Sequence, residues 1–293
     1  MDKAGLKAFV EVAVCGSFSA AADNLHLTQP AISKRIAMLE EQLDTRVFDR
    51  IGRRIALTEA GRVLLPRARR ILAELEDTER AVHDLSGRVS GELRIATSHH
   101  IGLHRLPPVL RRFCKRHPDV NVQIAFMDSE LANTQVARGD AELGVITLAP
   151  EGPIGALLAR EIWPDPLSVM VSADHPLAKE KAISIEQLSG FDAVLPGIGT
   201  YTGQILERLF RDSGTTLRIS MSTNYLETLR MLAVIGLGWT VLPDSMASAD
   251  LVCLQLKEHR LQRSLGLVVH RERSLSNAAR AFIQQLENAG KPT

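Results

Sequence analysis

The chain has 293 residues, a length that fits about two domains and excludes a single small module. Its composition, with 45% hydrophobic and 24% charged residues, is that of a globular protein, and no apolar run approaches the roughly 20 residues that a membrane span needs. The net charge of +1 conceals twelve Lys and Arg against eight Asp and Glu in residues 1–72, an excess that weakly favours a polyanionic partner.

The cysteines are few and scattered. Cys15, Cys114 and Cys253 show no CxxC spacing, which argues against both a disulfide framework and a thiolate metal site. Such a set fits a reducing cytoplasm. The apolar stretch near the N-terminus is interrupted by Glu11 and follows helical spacing, so it is not read as an export signal. We therefore expect a cytoplasmic protein with no membrane partner.

Residues 1–57 are predicted to form a winged helix-turn-helix domain. Apolar residues at helical spacing predict a first helix near the N-terminus. A serine cap predicts a short second helix over 20–25, and Thr28 caps a third helix over 29–43 that has a proline in its first turn. The segment 47–57 then reads as a short hairpin with arginines near its tip.

This arrangement has the features of a DNA reader. The second helix of such a pair fits the major groove, where Gln can bond adenine and Arg or Lys can bond guanine. Arginines in an adjacent hairpin suit phosphates or the minor groove. The alternative is that these are only solvated basic residues, but the combination favours double-stranded DNA. The predicted DNA-binding residues are Thr28, Gln29, Pro30, Ser33, Lys34, Arg35, Arg50, Arg53 and Arg54.

This part of the chain resembles the N-terminal domain of LysR-type transcriptional regulators. The segments GSFSAAADNLHLTQPAISKRIAMLEEQL, VFDR and LTEAG carry the resemblance, within a run that covers about a fifth of the chain. The resemblance implies that Arg53 lies in the wing and that Gln29, Pro30, Ser33, Lys34 and Arg35 lie on the recognition helix. It also implies a promoter-binding regulator, with RNA polymerase as a possible partner.

Residues 58–90 are predicted to form a long linker helix and a hinge. Apolar residues repeat with heptad spacing between charged flanks, which is typical of a coiled-coil dimer, although Pro66 interrupts the pattern. The alternative is a helix packed on its own domain. The predicted seam consists of Leu64, Ala68, Ile71, Leu75, Thr78, Val82 and Leu85. The resemblance implies an antiparallel dimer through residues 58–88, and we expect paired effector domains to complete a homotetramer.

Residues 91–293 are predicted to form an effector-binding domain of alternating strands and helices, so the fold class is α+β multidomain. Two α/β lobes joined by two crossings resemble periplasmic binding proteins. Lobe I comprises 91–161 and 266–293, and lobe II comprises 162–265. The predicted strands are 93–97, 120–126, 143–146, 167–171, 193–195, 217–222, 239–242 and 264–269. The predicted helices are 103–116, 130–138, 203–213, 225–236 and 275–288.

Ligands of such sheets bind beyond the carboxyl ends of the strands, and helix N-termini there favour anions. We therefore expect a small anionic metabolite between the lobes. The predicted effector-binding residues are Ser98, His100, Ser129, Thr147, Thr200 and Thr202. The family resemblance implies hydroxyl residues at positions like Ser98, Thr147 and Thr202.

The histidines and Trp163 of the C-terminal part admit other interpretations. Adjacent histidines diverge and make a poor chelate, and no third ligand is apparent, although His104 lies one helical turn beyond His100. We therefore expect no metal or cofactor, a hydrogen-bonding or pH-sensitive role for His100, and plain exposure for His99. Trp163 is interpreted as a packing residue of the hinge rather than as a surface for ligand stacking.

Three other functions compete with a ligand-responsive regulator. An enzyme fused to a DNA-binding head would need a nucleophile–base pair or a metal set, and neither is visible, so no catalytic residue is predicted. A solute-binding transport protein would need an export signal. An architectural nucleoid protein would bind DNA without regard to sequence and would respond to no metabolite.

Overall fold

The computed structural model describes residues 1–51, 54–84, 87–257 and 259–290. The side chains of Arg50, Ile51, Arg54, His83 and Asp84 lie outside that description. The chain divides into two compact units, Met1–Ser86 and Gly87–Thr293. Each unit has hydrophobic core clusters of its own.

The N-terminal unit contains three short helices, a hairpin and a long helix. Its elements are α1 (Lys3–Cys15), α2 (Phe18–Asn24), α3 (Gln29–Leu43), β1 (Phe48–Ile51), β2 (Arg54–Leu57) and α4 (Glu59–Asp84). Capping explains the starts of the helices, because the side chains of Asp2, Ser17 and Thr28 accept hydrogen bonds from backbone amides of α1, α2 and α3. Helix α1 ends at Gly16, whose φ of 62° is a left-handed conformation that glycine adopts without strain.

The core of this unit is built around phenylalanines. Phe9 and Phe18 lie 5.3 and 5.9 Å from Phe48, between ring centroids, so α1, α2 and the hairpin share one apolar centre. Strands β1 and β2 pair antiparallel, with Phe48 opposite Leu57. Among the described residues no single helix is long and apolar enough to cross a membrane; α1 and α2 meet the length and composition test only as a pair, bent by 119°.

The prediction of a continuous seam along α4 is wrong in its first half. Leu64 and Ala68 are buried in the core of their own unit, together with Leu72. Their position follows from α1, which packs along the start of α4 and takes up that face of the helix. The exposed apolar residues of α4 that remain on the predicted seam are Ile71, Leu75 and Val82. Leu85 lies outside the described residues.

The C-terminal unit alternates strands and helices as the sequence predicts. Its strands are β3 (Gly91–Thr97), β4 (Val120–Phe126), β5 (Leu143–Thr147), β6 (Leu157–Ser172), β7 (Ala182–Ile183), β8 (Ala193–Leu195), β9 (Ile219–Ser222), β10 (Thr240–Pro243), β11 (Leu251–Leu256) and β12 (Leu261–His270). Its α-helices are α5 (His99–His104), α6 (Leu106–Arg116), α7 (Ser129–Arg138), α8 (Ile185–Ser189), α9 (Tyr201–Asp212), α10 (Leu226–Val234) and α11 (Asn277–Gly290).

Two long antiparallel strands connect the two lobes of this unit. Strands β6 and β12 pair from Leu157 opposite His270 to Leu167 opposite Leu261, with a register shift between Leu265 and Gly266. At one end of this ribbon β12 pairs with β5, and β5, β3 and β4 continue the sheet in parallel. Towards the other end β6 pairs with β10 and β11. Separate buried clusters lie in the two halves, one around Phe113 and Phe282 and one around Phe210 and Trp239.

Several element boundaries differ from the sequence prediction. The helix predicted over 103–116 is two helices that meet at Arg105, because Pro107 and Pro108 carry no N–H to continue the hydrogen bonds of α5. The strand predicted over 167–171 begins ten residues earlier, at Leu157. Pro164 and Pro166 conceal this strand in the sequence, since proline normally argues against a strand interior. Strand β11 was not predicted.

Candidate effector cleft and DNA-binding face

The start of α3 presents polar side chains outward. Gln29, Pro30 and Lys34 are exposed, whereas Ser33 and Arg35 are partly buried. Ile32, Ile36 and Leu39 are buried on the opposite face and fix the helix to the core. The side-chain amide of Gln29 donates a hydrogen bond from Nε2 to Ser33 Oγ at 2.9 Å, so these two side chains lie side by side on one helical turn.

The hairpin that follows α3 provides the predicted wing. Its backbone is antiparallel, with Arg50 opposite Ile55 and Ile51 opposite Arg54. Arg53 lies outside the described residues, as do the side chains of Arg50 and Arg54, so their assignment to DNA stays a prediction. Thr28 is the N-cap of α3, and its Oγ1 accepts a hydrogen bond from the amide of Ala31 at 3.4 Å.

The C-terminal unit contains a cavity of about 490 Å³, counted up to its open mouth. Six residues predicted to bind an effector all line it: Ser98, His100, Ser129, Thr147, Thr200 and Thr202. Ser98 follows β3 and Thr147 ends β5, and because these strands are parallel neighbours their carboxyl ends open on the same side.

Two of these hydroxyls also hold the backbone around the cavity. Ser129 Oγ accepts a hydrogen bond from the amide of Thr147 at 3.1 Å. Thr200 is the N-cap of α9, where its Oγ1 accepts from the amide of Gly203 at 3.0 Å and donates to the carbonyl of Gly197 at 2.7 Å. Helix α9 therefore starts two residues earlier than predicted, and its N-terminus opens on the cavity.

A buried ion pair that the sequence analysis missed lies beside the cavity. Arg263, from β12, donates from Nε to Asp165 Oδ2 at 2.9 Å and from Nη1 to Thr202 Oγ1 at 3.0 Å. Arg105 reaches the other oxygen of Asp165 at 3.3 Å. Burial lowers the pKa of the Arg263 guanidinium, and the charge of Asp165 opposes that shift. The only signal in the sequence was an arginine at an inward position of an alternating strand.

Two carboxylates face the same cavity. Glu130 Oε1 accepts a hydrogen bond from the amide of Tyr201 at 2.6 Å, and Asp128 Oδ2 accepts one from the side-chain amide of Asn224 at 2.9 Å. Burial raises the pKa of Glu130, although hydrogen bonds from the backbone amides of Glu130 and Tyr201 partly oppose the shift. Both contacts run from α7 and its N-cap in one lobe to residues of the other lobe, so the carboxylates tie the lobes together.

His100 is buried beneath the cavity, with 6% of its surface exposed. Neither ring nitrogen has a hydrogen-bond partner among the residues that the structure describes. Burial, and then the charge of Arg263, lower the pKa of His100 to about 4. At that pKa the imidazole is mostly neutral near pH 7, and the hydrogen-bonding or pH-sensitive role of His100 in effector binding stays a prediction.

The residues around His100 take distinct positions. His99 is exposed, as predicted, and its ring lies 5.5 Å from that of Phe126 and 5.0 Å from that of Tyr225. His104 Nε2 lies 3.0 Å from Glu227 Oε1. Trp163 does not line the cavity; it packs in the core of the first lobe and donates from Nε1 to the carbonyl of Ala289 at 3.4 Å, in agreement with a packing role.

Comparison with known proteins agrees with both units. Residues 4–62 match the bacterial regulatory helix-turn-helix proteins of the lysR family, and residues 86–291 match the LysR substrate binding domain. A probable RuBisCO transcriptional regulator from Trichormus variabilis is 31% identical over 292 aligned positions, which cover 96% of this chain and 86% of that protein. An HTH-type transcriptional regulator of the ibpB-leuC intergenic region of Azotobacter vinelandii is 68% identical over 108 residues, 37% of this chain and 75% of that protein.

A solved structure extends the comparison to the whole chain. Full-length CbnR in complex with its target DNA is 22% identical, with a TM-score of 0.66 over 99% of this chain and 100% of that one, which shows a shared fold. The predicted fold class and the predicted resemblance are confirmed, and the fused enzyme is excluded. The chain belongs to the LysR family: it is a DNA-binding transcriptional regulator with an effector-binding domain.

Proposed function

We propose that the start of α3 and the arginines of the wing read an operator, and that a small hydroxylated or aminated carboxylate in the cleft controls this binding. The observation that carries the effector class is the polarity of the cavity. Arg263, several hydroxyl groups and the carboxylates of Asp128 and Glu130 all line it. An anion with no donor groups would complement Arg263 but not the two carboxylates.

The anionic end of the effector is assigned to the side of Arg263. Guanidinium has five N–H donors, and the bonds to Asp165 and Thr202 leave further donors for a carboxylate. The amide of Tyr201 at the N-terminus of α9 is already bonded to Glu130 and that of Gly203 to Thr200, so α9 contributes the positive end of its dipole. Thr202 is buried, lines the cavity and accepts a hydrogen bond from Arg263, so its hydroxyl couples the ligand to the ion pair.

A further part of the effector needs hydrogen-bond donors. The carboxylates of Asp128 and Glu130 accept hydrogen bonds when ionised and donate none. A hydroxyl or ammonium group can donate to them, whereas a second carboxylate would be repelled. We therefore narrow the expected anionic metabolite to a monocarboxylate that carries hydroxyl or amino groups.

The assembly through which the effector acts is also proposed. The exposed side chains of Ile71, Leu75, Thr78 and Val82 repeat with heptad spacing on α4, which supports pairing of this helix with a second copy. Pairing of effector domains would complete a homotetramer that bends promoter DNA, with RNA polymerase as a further partner. DNA as the partner supports a cytoplasmic location.

Calorimetric titration tests the effector class. The purified full chain is titrated with small hydroxy and amino carboxylates and, in parallel, with the carboxamide of each one. We expect at least one carboxylate to bind while its carboxamide does not, because only the acid complements Arg263. Thr202→Val, which keeps the shape of the side chain, should weaken that binding by about tenfold, since one buried hydrogen bond is worth about 1.5 kcal/mol. Equal binding of acids and carboxamides would refute the assignment.

A further inference from the structure

Three potential metal ligands meet at the edge of the cleft. His100 and His104 lie one turn apart on α5, with ring centroids 4.8 Å apart, and Glu227 comes from α10 in the other lobe. One ligand atom from each of the three residues lies within 4.8 Å of the others. The sequence predicts no metal site because no third ligand with clear spacing follows the histidines, and Glu227 is 123 positions from His104.

The state of His100 distinguishes this cluster from an ordinary surface ion pair. His104 and Glu227 alone form a half-exposed pair, with 45% of each side chain accessible. His100 is more than nine-tenths buried beside them, and both its ring nitrogens lack hydrogen-bond partners in the described part of the chain. Buried polar groups are normally hydrogen-bonded, and a buried imidazole with both nitrogens unpaired next to two further metal-ligating side chains points to a site for an ion.

The distances are close to those that a metal ion requires. Two donors bound to one Zn²⁺ at about 2.0–2.1 Å each can be at most about 4.2 Å apart. The separations here, up to 4.8 Å, need only small rotations of the exposed side chains of His104 and Glu227. Histidines four residues apart on a helix share one face, which orients both imidazoles towards the same point.

We propose that His100, His104 and Glu227 bind a divalent transition-metal ion of the Zn²⁺ type and that this ion clamps the two lobes. Two imidazoles and one carboxylate form a donor set used by zinc, whereas calcium and magnesium prefer oxygen ligands alone. Three protein ligands leave the fourth tetrahedral position open. That position is available to water or to a polar group of a cleft ligand.

The charges around the cluster are compatible with a cation. Arg263 is a positive charge near His100, and its guanidinium is bonded to Asp165. The carboxylates of Asp128 and Glu130 line the same cavity and favour a cation. Because α5 and α10 belong to different lobes, a bound ion would hold the cleft closed, in addition to the control that we propose for the organic effector.

Direct metal titration tests this proposal. The full-length protein, free of any affinity tag and dialysed against chelator, is titrated with Co²⁺ under visible absorption and with Zn²⁺ under calorimetry. The test variants are His104→Gln and Glu227→Gln, which alter exposed side chains and keep hydrogen-bonding groups. The control variants are His99→Gln, which removes the adjacent imidazole, and Glu151→Gln, which removes an exposed carboxylate elsewhere. All five proteins keep the three cysteines, so thiolate binding is a common background.

We expect one tight site per chain in the natural protein and in both controls, with Co²⁺ absorption bands typical of mixed nitrogen and oxygen ligation. Each test variant should bind at least about tenfold more weakly, since even outer-shell changes at metal sites cost that much. Zn²⁺ should raise the unfolding temperature of the natural protein and of the controls, but not of the test variants. Absence of a one-to-one site, or equal binding by the test variants, would overturn the proposal.

Discussion

Arg263 and Asp165 place opposite charges in a site from which water is largely excluded. Removing one partner of such a pair leaves an uncompensated charge, and this typically costs about 3–5 kcal/mol. We expect Arg263→Met to lower the free energy of unfolding by about 3 kcal/mol. The loss should lie at the lower end of that range because Arg105 still contacts Asp165. Urea denaturation of the full chain measures this loss.

A double-substitution cycle provides the control for that prediction. Replacing both residues, as Arg263→Met with Asp165→Leu, removes the stranded charge and should recover part of the stability. The double variant should therefore unfold at a higher urea concentration than Arg263→Met alone. If the two single losses simply add in the double variant, the two residues do not act as an ion pair.

The carboxyl group of Glu130 predicts a dependence of stability on pH. Burial raises its pKa, so folding favours the protonated form. As the pH rises from the ordinary pKa of glutamate, about 4.3, through the raised value, the folded protein loses stability relative to the unfolded chain. Glu130→Gln is neutral throughout and can still accept the hydrogen bond from Tyr201.

The variant should therefore be more stable than the natural protein at pH 7, and this advantage should shrink as the pH approaches 4. Urea denaturation at a series of pH values measures the difference. The matched control is Glu151→Gln, which alters an exposed carboxylate in a turn and should show no such trend. A constant or growing difference towards low pH would contradict the assignment of the shift to Glu130.

Residues whose roles depend on their immediate neighbours in the chain could be predicted from the sequence. Thr28, Ser98 and Thr200 lie at helix starts, and a cap followed by a periodic pattern is visible locally. Arg263 and Glu227 could not be located in the same way. Their contacts join positions 98 and 123 residues apart, so only the path of the chain in space brings them into the cleft.

Helix α3 and the wing should contribute differently to DNA binding. Gln29 is exposed at the start of α3, where a side chain can reach base edges, whereas Arg53 is expected to contact phosphate. Gln29→Ala should relax base preference at one operator position by about 1–3 kcal/mol. Arg53→Ala should weaken binding to all DNA sequences. It should also reduce, by about 1, the slope of the logarithm of the binding constant against the logarithm of the salt concentration. Electrophoretic mobility shifts on operators found by genome-wide mapping measure both effects.

Helix α4 carries two apolar faces with different roles. Leu64 and Ala68 hold it to the core of the N-terminal unit, and Leu75 lies on the exposed stripe that we propose pairs with a second copy. Leu75→Glu should therefore produce monomers in light scattering without loss of helical circular dichroism. Arg70→Glu places the same charge at an exposed position off the stripe and should leave the dimer intact. A dimeric Leu75→Glu protein would exclude this stripe as the interface.

Element types were more predictable than element boundaries. Amphipathic patterns predicted α3, α7 and α11, because each buries one continuous stripe. The sequence pattern typical of a strand is incomplete along β6, where Pro164 and Pro166 lie opposite Ser264 and Gln262 in β12. Strand pairing there depends on a partner about a hundred positions away in sequence. The two prolines by themselves disfavour a strand.

The separate cores of the two units predict separate unfolding. Among the described residues, the N-terminal unit and the C-terminal unit each have hydrophobic clusters of their own. We therefore expect calorimetry of the full chain to show two transitions, and an excised fragment of residues 87–293 to reproduce one of them. A carboxylate bound in the cleft should raise the midpoint temperature of that transition only. The size of the increase depends on the concentration of the carboxylate relative to its dissociation constant. A single cooperative transition that shifts as a whole would mean that the predicted boundary near residues 86–90 does not separate independently folding domains.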